Sequence, residues 1–445
     1  MKQINAAVEK NKDLILEAER HIWKHPETGY KEYKTSEYMA EVFRGLGYDL
    51  VMAEGITGFY TVIDTGRPGP EVLILAELDS TVCPEHKDAD PETGAVHACG
   101  HNAQCAALVG IAAALREEGI LDKFSGRIRL CTVPAEELHE IEYRKELIKE
   151  GKIKYLLGKS EFLSRGYFDG VDIAFMVHTA SSFYVNQGAV GCLAKYITYK
   201  GVASHAGGAP WDGRNALYAA TCGLNAINAI RETFEESEII RVHPIITGGG
   251  TMVNAIPDRA VLESYVRGSS FDAITKANKK VNKALCGAAL SLGTNVDITD
   301  MPGFSPLIND KNLIQITAEA AELAIPEYDF TVSDKTWTAS TDMGDLSCIM
   351  PVVHPFSGGD AGLLHGSNYE IKNPDAACTA SAKLQLGMLF ILLSDGAKRA
   401  KKVVEEYKPL FRSKEEYLTY VDTLNKTGDR IVYNENETVA TVDIE

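Results

Sequence analysis

At 445 residues the chain exceeds the roughly 250–300 residues at which a single hydrophobic core stops growing, so we expect at least two domains. Its 45% hydrophobic and 24% charged content is ordinary for a globular protein and argues against disorder. A formal net charge of -17 argues against binding to nucleic acids or anionic membranes, which would require a basic face.

The N-terminus and the cysteines together indicate a cytoplasmic protein. The first residues lead into a charged amphipathic segment rather than the apolar run of a signal peptide. No stretch approaches the roughly 20 apolar residues needed to span a bilayer. The nine cysteines are odd in number and widely scattered, so we expect reduced thiols, most of them serving as small core residues.

The first part of the chain alternates helical and strand patterns. Helical spacing predicts a helix over 3–24, which His25-Pro26 ends, and further helices at about 35–46, 103–115 and 142–165. Strands are predicted at 58–63, 71–76, 127–133 and 171–177. The alternation predicts an α/β fold with a mostly parallel sheet flanked by helices and with sites at the strand ends.

The pattern changes near Gly188. Alternating residues predict strands at 191–200, 239–247 and 260–267, and helices at about 213–236 and 271–291. A strand–helix–strand–strand–helix–strand order predicts an α+β domain with a four-stranded sheet. We therefore predict a discontinuous catalytic domain, 1–187 and 304–445, interrupted by an inserted domain at 188–303.

Two polar motifs follow predicted strands and could bind metal. His97-Ala98-Cys99-Gly100-His101 combines thiolate and imidazole groups, which suit zinc-like ions, and Gly100 would relieve the steric constraint on the turn. Pro134-Ala135-Glu136-Glu137 places two carboxylates side by side, which is costly in a buried site without a cation. Taken alone, each motif also fits a structural role, as satisfied core histidines or as a solvated acidic turn.

Three single residues complete the set of candidates. Asp79 follows the apolar strand 71–76, His178 follows 171–177, and His365 lies in a loop of small residues. An acidic strand cap, a core histidine and a surface histidine are the corresponding structural interpretations. The order of all five features along the chain carries more information than any one of them.

In this order the residues resemble the aminoacylase–carboxypeptidase superfamily of metallopeptidases, and within it the amidohydrolase branch. That branch includes auxin-conjugate, hippurate and aminobenzoyl-glutamate hydrolases. The resemblance runs from His25-Pro26-Glu27 to beyond residue 380 and includes Ser204-His205 and Asn254-Ala255-Ile256-Pro257-Asp258. It is strongest to the aminobenzoyl-glutamate hydrolase subgroup, which shares His101-Asn102 and a segment like 340–347.

The resemblance implies two divalent metal ions, Zn²⁺ or Mn²⁺, bridged by the Cys99 thiolate. It implies that Glu136 is the general base that activates a metal-bound water, and we expect Asp79 to take part in catalysis. The remaining metal ligands implied are His101, Glu137, His178 and His365.

The inserted domain is expected to act as a lid and as a dimerisation domain. His205 is the candidate for oxyanion stabilisation, in its own site or in that of a neighbouring protomer, and a local structural partner is its alternative role. Asn254, from the resemblance, and Arg267, from the bidentate geometry of arginine, are candidates for holding a substrate carboxylate. We expect a homo-oligomer, a dimer or larger.

The expected activity is hydrolysis of an amide bond in an N-acyl amino acid, aminobenzoyl-glutamate or dipeptide-like substrate. Hydrolytic deamination of an aromatic amine and a catalytically silent metal-binding protein are the alternatives. The intact Glu136 argues against the silent protein. Asn102 stands where relatives usually carry Asp, and this departure leaves the substrate and the metal open.

Overall fold

The computed structural model describes residues 1–444, which form two compact units. The first unit comprises Met1–Gly188, Leu307–Trp337 and Asp342–Lys414. The second comprises Ala189–Pro306, Thr338–Thr341 and the described residues from Glu415 onward.

The residues after Lys414 correct the predicted domain division. The prediction placed 304–445 wholly in the catalytic domain, but this segment belongs to the second unit from Glu415 onward. The physical reason is that the tail has apolar residues to bury there: Ile431 is 1% exposed and packs in the core of the second unit. Backbone hydrogen bonds between Asp300 and Lys426, at 2.7 and 2.9 Å, fix the tail beside an edge of its sheet.

A six-stranded sheet forms the centre of the first unit. Its order is Val51–Met52, Phe59–Asp64, Arg127–Val133, Glu71–Glu77, Ile173–Phe175 and Val352–Val353. The last four strands run parallel to one another, and every residue of Glu71–Glu77 is buried. Parallel strands place their carboxyl ends at one edge of the sheet, so the loops after 77, 133 and 175 meet there.

Helices cover this sheet and form most of its core with it. The helix His101–Leu115 is buried along its whole length, which its alanine-rich sequence permits. The other helices of the first unit are Lys2–Lys10, Lys12–Trp23, Tyr33–Gly45, Ile141–Lys149, Gly158–Ser164, Lys311–Ala324, Met343–Ser347, Ser381–Leu393 and Lys398–Glu406.

Shorter strands extend the loops at the carboxyl edge. A four-stranded sheet has the order Phe330–Val332, Phe183–Val185, Phe356–Ser357 and His178–Thr179. Two-stranded pairs join Thr81–Val82 to Ala95–Val96 and Asp360–Ala361 to Glu370–Ile371.

One helical segment of the first unit is long and apolar enough to cross a membrane by composition. It spans Asp375–Leu393, and its most apolar 18-residue window has a mean hydropathy of 1.6 and is 89% buried inside the protein. The sequence-based expectation that no such stretch exists is therefore corrected. Its burial is typical of the central helix of a globular core.

The second unit is built on an antiparallel sheet. Gly191–Lys200 lies between Arg259–Gly268 and Asn295–Pro302, paired along nearly its full length with both. The fourth position is split into Arg241–Val242 and Ile245–Gly248, because Pro244 between them has no N–H for the ladder. Helices Ala216–Ile230 and Phe271–Ser291 pack on this sheet, and Lys414–Thr423 and the strands Ile431–Tyr433 and Ala440–Val442 follow in the tail.

Candidate metal centre

Cys99, His101 and His178 form a buried cluster at the carboxyl edge of the parallel sheet. Their ligand atoms lie within 4.8 Å of one another. His178 begins the short strand that follows Ile173–Phe175, and His101 begins the helix His101–Leu115. The alternating α/β pattern therefore brings residues that are far apart in sequence to one point.

A second cluster shares the same thiol. Cys99, Glu137 and His365 also have ligand atoms within 4.8 Å of one another. The Nε2 atom of His365 lies 3.0 Å from Oε1 of Glu137, and the backbone N–H of His365 donates to Ala98 at 2.9 Å. Cys99 Sγ thus lies between two groups of potential ligands, as a bridging atom must.

Gly100 allows the turn that presents Cys99 and His101. Its φ of 81° lies in the left-handed region that favours glycine. A Cβ here would overlap Oγ1 of Thr179 and lie 2.5 Å from the hydroxyl of Tyr369. The steric role that the sequence suggested for Gly100 is confirmed.

The hydrogen bonds of the two imidazoles leave their Nε2 atoms as acceptors. Nδ1 of His101 lies 2.9 Å from the backbone oxygen of Asp79, and Nδ1 of His178 lies 2.8 Å from that of Thr179. A carbonyl oxygen only accepts, so each Nδ1 must carry the proton in the neutral ring. The lone pair of Nε2 then faces Cys99, whose Sγ is 3.5 Å from Nε2 of His178.

This arrangement fits a divalent cation. Nε2 of His101 and Oε1 of Glu137 are buried and make no hydrogen bond of normal geometry, although they face charged neighbours, Glu77 at 3.3 Å and His365 at 3.0 Å. Leaving such groups unpaired is costly, and a cation bound between thiolate, imidazole and carboxylate would satisfy them together. Without a cation the imidazoles can supply the positive charge themselves: burial and Glu137 raise the pKa of Cys99, but protonated His178 and His101 outweigh them and lower it to about 6.

The adjacent glutamates Glu136 and Glu137 have opposite charge preferences. Burial, followed by the charges of Glu77 and Glu137, raises the pKa of Glu136 well above its usual value. Burial also opposes ionisation of Glu137, but His365 and His139 hold its pKa well below the usual value. Two neighbouring carboxyl groups with separated pKa values are typical of a ligand beside a proton acceptor.

Asp79 lies behind the cluster. Its side chain is fully buried, with Oδ1 3.2 Å from Nδ1 of His101 and Oδ2 accepting the backbone N–H of Glu137 at 2.8 Å. It therefore orients His101 and the Glu136-Glu137 segment. Arg144, which is also buried, donates to the backbone oxygen of Glu137 from the far side.

The sequence reasoning missed a buried charged group beside the cluster. Lys159 donates to Glu77 Oε1 at 2.5 Å and to Oδ1 of Asp342, and all three side chains are fully buried. Glu77 was visible two residues before Asp79, and Asp342 lay in a motif shared with relatives. Nothing in the local sequence distinguished Lys159 from a surface lysine.

Another missed residue is His139, two positions after Glu137. Its Nε2 lies 3.4 Å from Oε2 of Glu137 and 2.8 Å from Oγ1 of Thr81. His139 therefore contacts Oε2 of Glu137, while His365 contacts Oε1 of the same carboxylate. A histidine so close to Pro134-Ala135-Glu136-Glu137 was the available signal.

The three candidates in the inserted domain belong to the second unit. His205 is exposed, and its Nδ1 accepts the backbone N–H groups of Gly207 and Gly208 at 3.1 and 2.8 Å. Asn254 is exposed in the loop before Ala255. Arg267 donates to Nε2 of His243 at 3.2 Å and to Oγ of Ser340 at 2.8 Å.

Sequence comparison assigns the family. A model of Peptidase family M20/M25/M40 matches residues 73–388, well over half of the chain. The chain is 29% identical over 385 residues to the Xaa-Arg dipeptidase of Mus musculus, covering 82% of this chain and 80% of that protein. It is 26% identical over 357 residues to one of the two polypeptides of the p-aminobenzoyl-glutamate hydrolase of Escherichia coli, covering 67% and 76%.

Comparison with solved structures agrees on the fold. A dinuclear metal-binding peptidase of the M20 family from Bacillus subtilis superposes with a TM-score of 0.63 at 19% identity, covering 86% of this chain and 99% of that one. An aminobenzoyl-glutamate utilization protein from Klebsiella pneumoniae gives a TM-score of 0.66 at 18% identity, covering 88% and 98%. The chain belongs to Peptidase family M20/M25/M40 and is a hydrolase of amide bonds.

Proposed function

We propose that this hydrolase is metal-dependent and releases an amino acid or arylamine from an N-acyl amino acid, aminobenzoyl-glutamate or dipeptide-like substrate. The observation that carries the proposal is the position of Cys99, whose thiol is shared by two clusters of buried imidazole and carboxylate ligand atoms, each within 4.8 Å of one another. The names of the relatives, a dipeptidase and an aminobenzoyl-glutamate hydrolase, support the substrate class.

Two cations fit these clusters, with Cys99 shared between them. His101 and His178 would hold one cation, and Glu137 and His365 the other. Thiolate and imidazole favour Zn²⁺, while carboxylate is also suited to Mn²⁺, so we propose one of these two ions. Bound there, the cations supply Lewis acidity that activates water and polarises a carbonyl at neutral pH.

Glu136 is the proposed general base. A carboxylate oxygen of Glu136 lies within 4.8 Å of a carboxylate oxygen of Glu77 and a ring nitrogen of His101, and Glu136 belongs to neither of the two clusters that share Cys99. A carboxylate with a raised pKa is suited to accept a proton from the attacking water and to return it to the leaving amine. We assign Asp79 a positioning role: it orients His101 and does not transfer a proton.

The second unit is the proposed source of substrate recognition. Exposed His205 has its Nε2 available for a developing oxyanion, and Asn254 and Arg267 are proposed to hold a substrate carboxylate. Exposed Trp211, Tyr218 and Val253, at 77%, 64% and 100% exposure, support a homo-oligomer formed through this unit.

The test is a substrate panel with and without metal. Purified protein is treated with a chelator, reloaded with Zn²⁺ or Mn²⁺, and assayed for amine release from N-acyl amino acids, dipeptides and aminobenzoyl-glutamate. We expect activity only after reloading, and a loss of about 100-fold or more in kcat for Glu136→Gln with metal content retained. Full hydrolysis by Glu136→Gln would exclude the proposed base, and ammonia release from aromatic amines alone would favour a deaminase.

A further inference from the structure

Ala135 has a backbone conformation that residues with a Cβ disfavour. Its φ is 54°, in the left-handed region, and it lies between the end of the strand Arg127–Val133 and the proposed base Glu136. For such a residue the left-handed region is less populated than the right-handed one by about 5–30-fold. It persists only where the surroundings hold it, and here it sets the direction in which Glu136 leaves the end of the strand.

Three contacts hold Ala135 in this conformation. Its N–H donates to Oε1 of Glu32 at 2.8 Å, and its carbonyl oxygen accepts the N–H of Gly158 at 3.1 Å. Gly29 packs so closely that a Cβ there would lie 2.9 Å from both Cα and Cβ of Ala135. Only the bond to Glu32 is made by a side chain, so it is the contact that a substitution can remove selectively.

Glu32 is itself fixed in place. It is fully buried, and its other oxygen, Oε2, accepts the hydroxyl of buried Thr57 at 2.6 Å. It directly precedes the helix Tyr33–Gly45, and its backbone oxygen accepts the N–H of Ser36 at 2.9 Å. A buried carboxyl group with both oxygens bonded has little freedom to turn away from Ala135.

The bond to Ala135 requires an acceptor and not a charge. Burial and the charge of Asp79 raise the pKa of Glu32 to about 8. A neutral carboxyl group can donate from Oε2 to the hydroxyl of Thr57 and still accept at Oε1, since a hydroxyl both donates and accepts. Glutamine has the same shape and can make the same two bonds, whereas leucine can make neither.

We propose that Glu32 is a positioning residue for the general base. By accepting the N–H of Ala135, it holds the left-handed backbone from which Glu136 faces the candidate metal centre. This inference rests on the proposed function, in which Glu136 takes a proton from the attacking water. None of the clusters of metal-ligand atoms includes Glu32, so its role is exerted through the backbone.

The experiment compares Glu32→Leu, Glu32→Gln and a control, Glu161→Gln. Glu161 is matched to Glu32 because it is 2% exposed and its carboxylate also accepts backbone N–H groups, those of Lys154 and Tyr155. These groups lie outside the segment that carries Glu136. The control therefore loses a comparable buried charge without touching Ala135.

Four quantities are measured on each variant. They are kcat and KM on the best substrate of the panel, metal content by elemental analysis, and stability by urea unfolding. Hydrogen exchange of the amides of 135–138, followed by mass spectrometry in the metal-free protein, reports on the bond to Ala135 without any activity.

We expect Glu32→Leu to lower kcat by about 5–30-fold with KM unchanged and both metal ions retained, because only the population of the productive backbone falls. Exchange of the amides of 135–138 should become faster. Glu32→Gln and Glu161→Gln should keep wild-type kcat and wild-type exchange of this segment. Wild-type kcat and exchange in Glu32→Leu would overturn the proposal, as would a loss in Glu32→Gln as large as that in Glu32→Leu.

A second substitution distinguishes positioning from a general loss of structure. Glycine adopts left-handed backbone about as readily as right-handed backbone, so Ala135→Gly has less need of the bond to Glu32. We expect Glu32→Leu combined with Ala135→Gly to regain part of the kcat that Glu32→Leu loses, although glycine adds no contact. A double variant no faster than Glu32→Leu would contradict the proposed role.

Failure of Glu32→Leu to fold is covered by Thr57→Val. This variant keeps Glu32 but removes the hydroxyl that fixes its Oε2. We expect a smaller loss of kcat than in Glu32→Leu, together with faster exchange of the amides of 135–138. Wild-type exchange and kcat in Thr57→Val would contradict the proposal.

Glu136→Gln separates this inference from the proposed function. Full activity of Glu136→Gln would show that the proposed base is wrong, and the role of Glu32 would fall with it. An inactive Glu136→Gln beside a fully active Glu32→Leu would overturn the role of Glu32 alone.

Discussion

At the residue scale, Asn102 is explained by a carboxylate that comes from another helix. Its Nδ2 donates to Oε1 of Glu19 at 2.9 Å, and both side chains are buried. Burial raises the pKa of Glu19, with Arg20 and Asn102 opposing. An Asp at 102 would place two carboxyl groups in contact, so the departure from Asp follows from the presence of Glu19.

We therefore expect Asn102→Asp to destabilise the protein by about 2–3 kcal/mol, because it replaces a buried donor with a second acceptor. Glu19→Gln in the same chain should restore most of this loss, since the donor then comes from residue 19. Urea unfolding of the two single variants and the double variant measures the coupling. Additive losses in the double variant would mean that the two side chains do not interact.

The candidate metal ligands could be predicted from the sequence, but the buried charged residues around them, such as Lys159, could not. Cys99, His101, Glu137, His178 and His365 stand in short recognisable motifs at strand ends, and the structure brings all five together. By contrast, Lys159 is 82 positions from its partner Glu77 and 183 from Asp342. Such a pairing depends on the packing of separate elements, which no local pattern encodes.

At the scale of elements, the turn before the helix His101–Leu115 is set by Gly100. Two separate effects restrict this position: the left-handed φ of 81° and the close approach of Thr179 and Tyr369. Gly47 has the same φ of 81° but has nothing within 4 Å of a built Cβ. Comparing substitutions at Gly47 and Gly100 therefore distinguishes the cost of backbone strain from the cost of steric overlap.

Gly47→Ala is expected to cost about 1–2 kcal/mol, the penalty for left-handed backbone in a residue with a Cβ. Gly100→Ala should cost at least about 2 kcal/mol more, because the added methyl group must displace its neighbours, and it should also weaken metal binding. Chemical unfolding and chelator competition measure the two effects. Equal losses in both variants would show that the Thr179 and Tyr369 contacts are not restrictive.

Element prediction succeeded where the hydrophobic pattern was continuous and failed where side chains intervene. The strands Glu71–Glu77 and Arg127–Val133 and the helix Phe271–Ser291 closely match their predicted ranges. The helix predicted over 142–165 is instead Ile141–Lys149 and Gly158–Ser164. Lys154 and Tyr155 lie between these two helices, and their backbone N–H groups donate to the carboxylate of Glu161. These bonds replace helical hydrogen bonds, and the spacing of apolar residues does not reveal them.

At the scale of the whole molecule, the C-terminal tail completes the second unit. Tyr417 is 1% exposed, and its hydroxyl lies 2.8 Å from Oγ of Ser305. Asn295 donates to the backbone oxygen of Ile431 at 2.8 Å. Residues 304–445 return to strand and helix patterns, which predicts that they rejoin the first domain, and only tertiary contacts show that the tail belongs to the second unit.

A chain ending at Lys414 should therefore have a destabilised second unit. Removal of the tail exposes the edge of Asn295–Pro302 and the apolar surface around Ile431. We expect protease cleavage within 189–306 to become faster, while the first unit keeps its resistance. An unchanged cleavage rate within 189–306 would contradict the assignment of the tail.

The proposed metal centre depends above all on Cys99, as the thiolate shared by two cations. The decisive measurement is the metal content of wild type and Cys99→Ala after equilibration with Zn²⁺ and with Mn²⁺, together with hydrolysis of the substrate panel. We predict two bound ions per wild-type chain, and loss of both metal and activity in Cys99→Ala. Two ions retained in Cys99→Ala would remove Cys99 from the site and contradict the proposed centre.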